Sequence, residues 1–266
     1  MKTTLMLVCA AAFLLTSCSD DDSPAPGLVD TGIDPAAVAG VVWHDLDGDG
    51  IQDATETDGM PGVTVSITDC ATAIEATATG STGGYSFTGL DAGSYAIKVD
   101  LPLNHFFSPQ DQGSDDGLDS DADVTTGQTG CFTLHKNDIV GTVDIGLYLN
   151  GTLAGRVWLD SDQDGIQDGG ELGVSGNTVI LRDPATGGTL ASTTTDTNGQ
   201  YWFNDLEPDA YQVEVTINVS FTFSPVDQGG DDALDSDIIP GTGLSPAMGV
   251  TSGGIVAIDA GIYNAP

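Results

Sequence analysis

Basic residues are scarce in this chain, because 5 Lys and Arg stand against 40 Asp and Glu among 266 residues, a formal net charge of −35 at pH 7. Nucleic acids and anionic lipid surfaces are bound by clustered Lys and Arg, so these partners are excluded. Leu, Lys, Arg and Glu, which favour helices, are few, whereas Gly, Thr, Val and Asp are abundant. The 39% hydrophobic content is too high for acidic disorder. We therefore predict an all-β protein of short strands and tight turns.

Recognisable catalytic motifs are also missing. The sequence contains 3 His, and it has no His-Glu-x-x-His motif, nucleophile elbow or glycine-rich phosphate loop. Without such a constellation we predict that the protein is not an enzyme.

The long apolar run at the N-terminus, from Leu5 to Leu15, is too short to span a bilayer comfortably. It follows Lys2 and leads into a Leu-Thr-Ser-Cys tetrapeptide that ends at Cys18. Residues 1–18 resemble a bacterial lipoprotein signal peptide with its lipobox, and the alternative is a short buried helix. We predict that Cys18 is lipidated and that the lipid provides the only contact with the membrane.

Three aspartates, residues 20–22, follow the predicted signal directly. They resemble the acidic tag of lipoproteins displayed on the outer face of the outer membrane, so we expect an exported, outer-membrane-anchored lipoprotein exposed at the cell surface. Residues 19–38 contain three prolines and little apolar periodicity, which predicts a flexible tether.

An internal repeat covers most of the remaining chain. Residues 39–53 recur as 154–168, and further matches keep the offset near 115 residues. A repeat of this length indicates tandem duplication of a whole domain rather than a short solenoid repeat. We predict one domain at residues 39–149 and a second at 152–265.

Within a unit, residues 63–67, 85–87 and 95–99 alternate apolar and polar side chains. This period of two is typical of half-buried strands. Several short strands in about 110 residues predict a β-sandwich that can bury its own core.

Each repeat contains a twelve-residue window with the spacing of an EF-hand calcium loop. Alternate carboxylates converge on one point, Gly at position 6 allows the turn, residue 7 offers its carbonyl, and Glu at position 12 can bind through both oxygens. The alternative is a solvated acidic turn, and the flanking residues favour strands rather than helices. The candidate Ca²⁺ ligands are Asp45, Asp47, Asp49, Ile51, Asp53 and Glu56 in the first unit, and Asp160, Asp162, Asp164, Ile166, Asp168 and Glu171 in the second.

A second acidic segment occurs in each repeat, at residues 111–123 and 227–237, without a recognisable loop register. Like charges at this density need compensation to stay ordered, which favours calcium over a solvated loop. The candidate ligands here are Asp115, Asp116, Asp119 and Asp121, and in the second unit Asp231, Asp232, Asp235 and Asp237.

Two cysteines, Cys70 and Cys131, lie in the first repeat, whereas the second has none and places Pro184 opposite Cys70. They are therefore gained or lost together, which in an exported protein favours a disulfide over two buried thiols.

The repeated motifs together resemble one known family. The Gly-x-Val-Trp-x-Asp-x-Asp-x-Asp-Gly-Ile-Gln-Asp opening, the Gly-x-Tyr-x-Phe-x-x-Leu middle and the Asp-Ser-Asp loop are similar to the B domains of serine-aspartate repeat surface proteins, the SdrD B-like family. The resemblance implies a prealbumin-like or Cna B-type β-sandwich that binds several calcium ions and forms a rigid stalk segment on bacterial surfaces.

Two functions are consistent with these observations. The first is a calcium-rigidified, surface-anchored stalk or spacer. The alternative is an adhesin, a surface lipoprotein that binds a glycan or protein through sandwich loops. The sequence does not name the ligand, which could be a host molecule, a glycan or a neighbouring surface protein.

Overall fold

The computed structural model describes residues 35–265, and every helix or strand assigned in that range is a β-strand. The prediction of an all-β protein is confirmed. None of the described residues forms a helix long and apolar enough to cross a membrane. The predicted signal peptide, Cys18 and most of the tether lie outside the described residues.

The strands fall into two sets that pair only among themselves within the described chain. The first set comprises β1 (Ala36–His44), β2 (Thr64–Thr68), β3 (Ala73–Ala78), β4 (Gly84–Leu90), β5 (Gly93–Val99), β6 (His105–Phe107), β7 (Phe132–Leu134), β8 (Ile139–Val140) and β9 (Ile145–Leu149). The second set comprises β10 (Gly151–Leu159), β11 (Thr178–Arg182), β12 (Thr189–Thr194), β13 (Gln200–Leu206), β14 (Asp209–Thr216), β15 (Phe221–Phe223), β16 (Met248–Val250), β17 (Ile255–Ala257) and β18 (Ala260–Asn264). Two tandem domains result.

Each domain is a sandwich of two open sheets. The first domain has one sheet in the order β4-β1-β9-β6, with β8 also paired to β1, and a second in the order β3-β2-β5-β7. The second domain repeats this topology with β13-β10-β18-β15, with β17 on β10, and β12-β11-β14-β16. The predicted sandwich architecture is therefore confirmed.

A separate apolar core fills each sandwich. Val38 and Ile67, from opposite sheets, are buried in the first core, and Val157 and Leu181 are buried in the second. Every second residue along each strand points into the core, because successive side chains alternate between the two faces of a sheet.

Along one edge, the first strand of each domain changes its hydrogen-bonded neighbour at a glycine. In the first domain β1 pairs first with β8 and then with β9, and in the second β10 pairs first with β17 and then with β18. A Cβ atom on Gly40 would lie 1.7 Å from the carbonyl oxygen of Val143, and one on Gly155 would lie 1.8 Å from that of Ile258. No side chain fits at this approach of two backbones. The hydroxyl of Tyr85 donates to the same Val143 oxygen (2.6 Å), so the crossing is also fixed from the core.

The first domain begins earlier than predicted. The tether was expected to extend to residue 38, but β1 starts at Ala36, and Ala36 and Val38 are both buried. Three residues that follow a proline-rich stretch show too little alternation for the sequence pattern to reveal a strand start.

A disulfide joins Cys70, in the turn after β2, to Cys131, just before β7. The two Cα atoms are 5.8 Å apart, and 61 positions separate the residues in sequence. This bond links two strands that flank β5 in the first domain, and the second domain has no cysteine that could form its equivalent.

Candidate metal centres

The EF-type loop of the first domain, residues 45–56, begins with a buried aspartate at the end of β1. The carboxylate of Asp45 accepts hydrogen bonds from the backbone N–H groups of Gly48 (2.6 Å) and Gly50 (3.0 Å). A short acidic side chain therefore folds the loop back on itself. Gly50 has φ of +82°, the left-handed conformation that glycine adopts most easily.

Glu56, at position 12, closes the same loop. Its Oε1 accepts the backbone N–H of Leu46 (2.5 Å), and its Oε2 accepts that of Asp53 (3.1 Å). Carboxylate oxygens of Asp45, Asp47 and Glu56 consequently lie within 4.8 Å of one another. One cation could contact all three.

The EF-type loop of the second domain, residues 160–171, has the same construction. Asp160 accepts the N–H of Gly165 (3.0 Å), and Glu171 accepts that of Ser161 (2.7 Å). Two acidic groups with oxygens within 4.8 Å of one another result: Asp160 with Asp162 and Glu171, and Asp162 with Asp164 and Asp168.

Asp49 and Asp53, two of the predicted ligands in the first domain, lie outside the acidic group of their loop. Asp49 instead accepts the backbone N–H of Ile51 through Oδ1 (2.7 Å). Their counterparts in the second domain do join a group, so the two loops differ in detail although their spacing is identical.

The EF-type loop lies beside the acidic segment in both domains. Antiparallel bridges connect Ile51 to Asp119 and Ile166 to Asp235. The predicted carbonyl ligands Ile51 and Ile166 therefore lie at this contact between the loop and the acidic segment.

The acidic segment of the first domain brings together Asp116, Asp119 and Asp121, whose carboxylate oxygens lie within 4.8 Å of one another. The predicted ligand Asp115 is outside this group and accepts the N–H of Gly117 (3.2 Å). Oδ1 of Asp119 is buried without a hydrogen-bond partner in the described structure. An adjacent cavity of about 310 Å³ is bordered by Asp116 and Asp121.

In the acidic segment of the second domain, a different set of aspartates brings its carboxylate oxygens together. Asp235 and Asp237 group with Asp227, whereas the predicted Asp231 and Asp232 lie outside the group. Oδ1 of Asp235 is buried without a partner among the described residues, as in the first domain. Asp227 belongs to the acidic run in the sequence, but without a loop register nothing distinguished it from its neighbours.

One further carboxylate per domain was missed by the sequence analysis. The Asp144 N–H donates to Oδ2 of Asp121 (2.7 Å), and Oδ1 of Asp144 accepts the N–H of Val41 (2.6 Å). In the second domain Asp259 donates in the same way to Asp237 (2.6 Å). The available signal was the Val-Asp-Ile-Gly and Ile-Asp-Ala-Gly repeat in the closing strands.

Burial changes the protonation of these paired carboxylates. It raises the pKa of Asp121 to about 7 and that of Asp144 to about 6, against the opposing effect of their backbone hydrogen bonds. Burial has the same effect on Asp237, to about 7, and on Asp259, to about 6. Desolvation penalises the ionised form, so either a proton or a nearby cation would relieve the cost of burying these carboxylates.

The donor atoms define the chemistry of the centres. All the grouped ligands are carboxylates, and hard oxygen donors suit Ca²⁺, Mg²⁺ or Mn²⁺ rather than soft metals. Several protein oxygens that converge on one point would suit Ca²⁺, since Mg²⁺ retains more of its water.

The raised pKa values predict that, in the absence of metal, the stability of the fold decreases as the pH rises. The carboxyls of Asp121 and Asp237 have a higher pKa in the folded chain, about 7, than in the unfolded chain, about 4. Each therefore contributes its full stabilisation of the fold below about pH 4, and this contribution is lost as the pH rises through about 7. In EDTA we expect the melting midpoint to be higher at about pH 5.5 than at about pH 8.

Calorimetry at both pH values measures this difference, and the Asp121→Asn and Asp237→Asn variants should each flatten it in their own domain. A midpoint that rises with pH in EDTA would contradict the assignment.

A model of the SdrD B-like domain family matches residues 36–147 and again 151–262 of the chain. The chain belongs to the SdrD B-like family. The predicted resemblance is thus confirmed, and the two matched stretches correspond to the two sandwiches. This family is one of structural domains rather than enzymes, which agrees with the prediction that the protein is not an enzyme.

The SdrD B-like chain is similar to two serine-aspartate repeat-containing proteins. It is 37% identical to protein F of Staphylococcus epidermidis over 231 residues, which cover 86% of this chain and 13% of that protein. It is 32% identical to protein D of Staphylococcus aureus (strain Newman) over 270 residues, which cover 95% of this chain and 20% of that protein. The chain therefore spans a fifth or less of these relatives.

Among solved structures, the SdrD B-like chain is similar to the minor pilin GBS52 of Streptococcus agalactiae (12% identity, TM-score 0.31, covering 87% of this chain and 97% of that one). It is also similar to BcpA, the major pilin subunit of Bacillus cereus (12% identity, TM-score 0.27, covering 87% and 100%). Similarities at this level carry no argument about function.

Proposed function

We propose that this protein is a calcium-binding stalk or spacer of the cell surface, stiffened by Ca²⁺ in the acidic loops of both domains. Membership in the SdrD B-like family supports the structural role. Calcium is supported by the grouped carboxylates and by the buried, partnerless oxygens of Asp119 and Asp235. A bound cation would neutralise like charges that otherwise repel at short range.

The main support for a stiff stalk is the set of hydrogen bonds at the joint between the two domains. Ser252, in the β16–β17 turn of the second domain, donates its backbone N–H to the carbonyl oxygen of Leu46 in the first EF-type loop (2.7 Å). Its Oγ lies 2.7 Å from Nε2 of His44 and accepts the N–H of Leu149 (2.7 Å). One serine thus bonds three residues of the first domain.

A short path of hydrogen bonds connects a candidate ligand to this joint. Oε1 of Glu56 accepts the N–H of Leu46, and the carbonyl of Leu46 accepts the N–H of Ser252. A cation that orders Glu56 would also order Leu46, and so would restrict rotation of the second domain. Calcium would then stiffen the joint as well as each sandwich.

The location that we propose for the stalk is supported by residues 1–22 of the sequence. We propose that the protein is exported, acylated on Cys18 and displayed on the outer membrane, with membrane contact through the lipid only.

The Ser252→Ala variant tests the joint. We expect it to leave both sandwiches folded but to increase the spread of interdomain distances, because His44 Nε2 and Leu149 N–H lose their common partner. Small-angle X-ray scattering of residues 19–266 in Ca²⁺ measures the change, and EDTA should broaden the wild-type distribution in the same way.

The control is Ser192→Ala, which removes an exposed hydroxyl from β12 of the same domain. If Ser252→Ala and Ser192→Ala scatter identically, and EDTA leaves the wild type unchanged, the protein is not a calcium-stiffened stalk.

A further inference from the structure

The outer face of the β13-β10-β17 strands in the second domain bears an exposed indole. Trp202 on β13 pairs with Ala154 on β10, which in turn pairs with Ala257 on β17. Trp202 is 47% exposed, and Ile255 on the same face is 78% exposed. Since the alanines are small, these residues border a shallow depression of about 250 Å³.

Four residues with polar side chains border the same depression, namely Arg156, Gln167, Gln200 and Asp259. Nε2 of Gln167 is buried and has no acceptor within the described part of the chain. In the first domain the equivalent Gln52 donates to the carbonyl oxygen of Glu56 (3.4 Å). A buried donor without an acceptor is destabilising, so a ligand that brought an acceptor to this amide would relieve the cost.

Arg156 explains why Gln167 lacks this bond. Its Nη2 donates to the carbonyl oxygen of Glu171 (3.0 Å), the atom that corresponds to the acceptor of Gln52 in the first domain. Its Nε donates to the carbonyl of Asn198 (3.0 Å), so the guanidinium is held in place. The arginine therefore leaves the amide of Gln167 free at the edge of the depression.

On its corresponding face the first domain lacks the indole, the guanidinium and the Gln200 amide, although Gln52 is the equivalent of Gln167. The strand registers place Val41, Gly84 and Ser86 where the second domain has Arg156, Gln200 and Trp202. The exposed isoleucine is present on both faces, as Ile139 and Ile255. The chain thus contains its own comparison face, with the same sheet but without the indole, the guanidinium and the Gln200 amide.

We propose that this face of the second domain binds a neutral carbohydrate, with the indole of Trp202 as a platform and the amides of Gln167 and Gln200 as hydrogen-bonding groups. The electron-rich face of an indole attracts the polarised C–H groups on the apolar side of a sugar ring. Amides supply both donors and acceptors to sugar hydroxyls. A net charge of −35 disfavours an anionic glycan, and the depression is too small for a standard protein interface.

This inference does not require the calcium stalk, although Gln167 belongs to the EF-type loop and Asp259 borders the depression, so the test is run in Ca²⁺. Affinity electrophoresis of residues 19–266 through gels that contain mannan, xylan, β-1,3-glucan or starch tests it directly. We expect at least one polysaccharide to retard the wild type. Trp202→Ala should weaken the retardation about tenfold, Trp202→Phe should retain part of it, and Ile139→Ala on the first-domain face should have no effect.

A second readout uses fluorescence. Of the 3 tryptophans, Trp43 and Trp158 are fully buried, so acrylamide quenching reports mainly on Trp202. The retarding polysaccharide should protect this fluorescence. Retardation that persists unchanged in Trp202→Ala, or no retardation and no protection with any of the four polysaccharides, overturns the proposal. A wild-type dimer that Trp202→Ala converts to monomer in sedimentation would also overturn it, and would identify the face as a self-association surface.

Discussion

Removal of calcium is expected to lower the melting midpoint of both domains by on the order of 10 °C. A ligand at a hundredfold excess over its dissociation constant stabilises the folded state by about 2.7 kcal/mol, and each kcal/mol shifts the midpoint of a domain of this size by roughly 4 °C or more. Differential scanning calorimetry of residues 19–266 in EDTA, and again after addition of Ca²⁺ or Mg²⁺, measures the effect. Ca²⁺ should restore the midpoint, and Mg²⁺ should restore much less of it.

A matched pair of variants locates the effect. Asp119→Asn removes a charge from the grouped, buried carboxylates, whereas Asp115→Asn removes one from the same segment outside the group. Only Asp119→Asn should reduce the calcium-dependent shift of the first domain. An unchanged midpoint in EDTA, together with metal analysis that finds no bound calcium, would disprove calcium binding.

Loss of the disulfide between Cys70 and Cys131 is expected to destabilise the first domain by about 4 kcal/mol, the chain-entropy estimate for a loop of this length. The second domain should be unaffected, because it has no cysteine. Chemical denaturation of a variant with serine at both positions, compared with the wild type, measures the difference. An equal loss in both domains would rule out this explanation.

The disulfide also predicts unequal responses to loss of a calcium ligand. Glu56→Ala and Glu171→Ala remove equivalent carboxylates, but only the first domain retains a covalent link. Under oxidising conditions, Glu171→Ala should expose its domain to protease at a lower temperature than Glu56→Ala does. Reduction should decrease this difference in temperature between the two variants. If the two variants have identical protease profiles both before and after reduction, the disulfide does not stabilise the first domain.

The first acidic loop is a contiguous stretch whose side chains are directed by neighbouring residues, so its spacing is readable in the sequence. The structure groups Asp45, Asp47 and Glu56 of this loop, whereas the predicted Asp49 and Asp53 lie outside the group. The segments at 111–123 and 227–237 have no such register. Consequently Asp115 and Asp116 were indistinguishable in sequence, although only Asp116 joins the acidic group.

The remaining features depend on contacts between residues far apart in the chain. Asp144 reaches Asp121 because the acidic segment lies against the start of β9, and Ser252 reaches Leu46 because the second domain packs its β16–β17 turn against the first loop. Hydrophobic alternation specifies which face of a strand is buried, but it does not specify which strands become neighbours.

By itself, the sequence determined the all-β class, the duplication, the EF-type loops and the family, since each is encoded by residue types at short, regular spacings. Only the tertiary structure decided which carboxylates share a centre, how a loop reaches the next domain and that the Trp202 face is open. These properties arise when strands that are far apart in sequence pair with one another. The entropy cost of closing the intervening loops is offset by contacts throughout the core, so no local motif reveals the pairing.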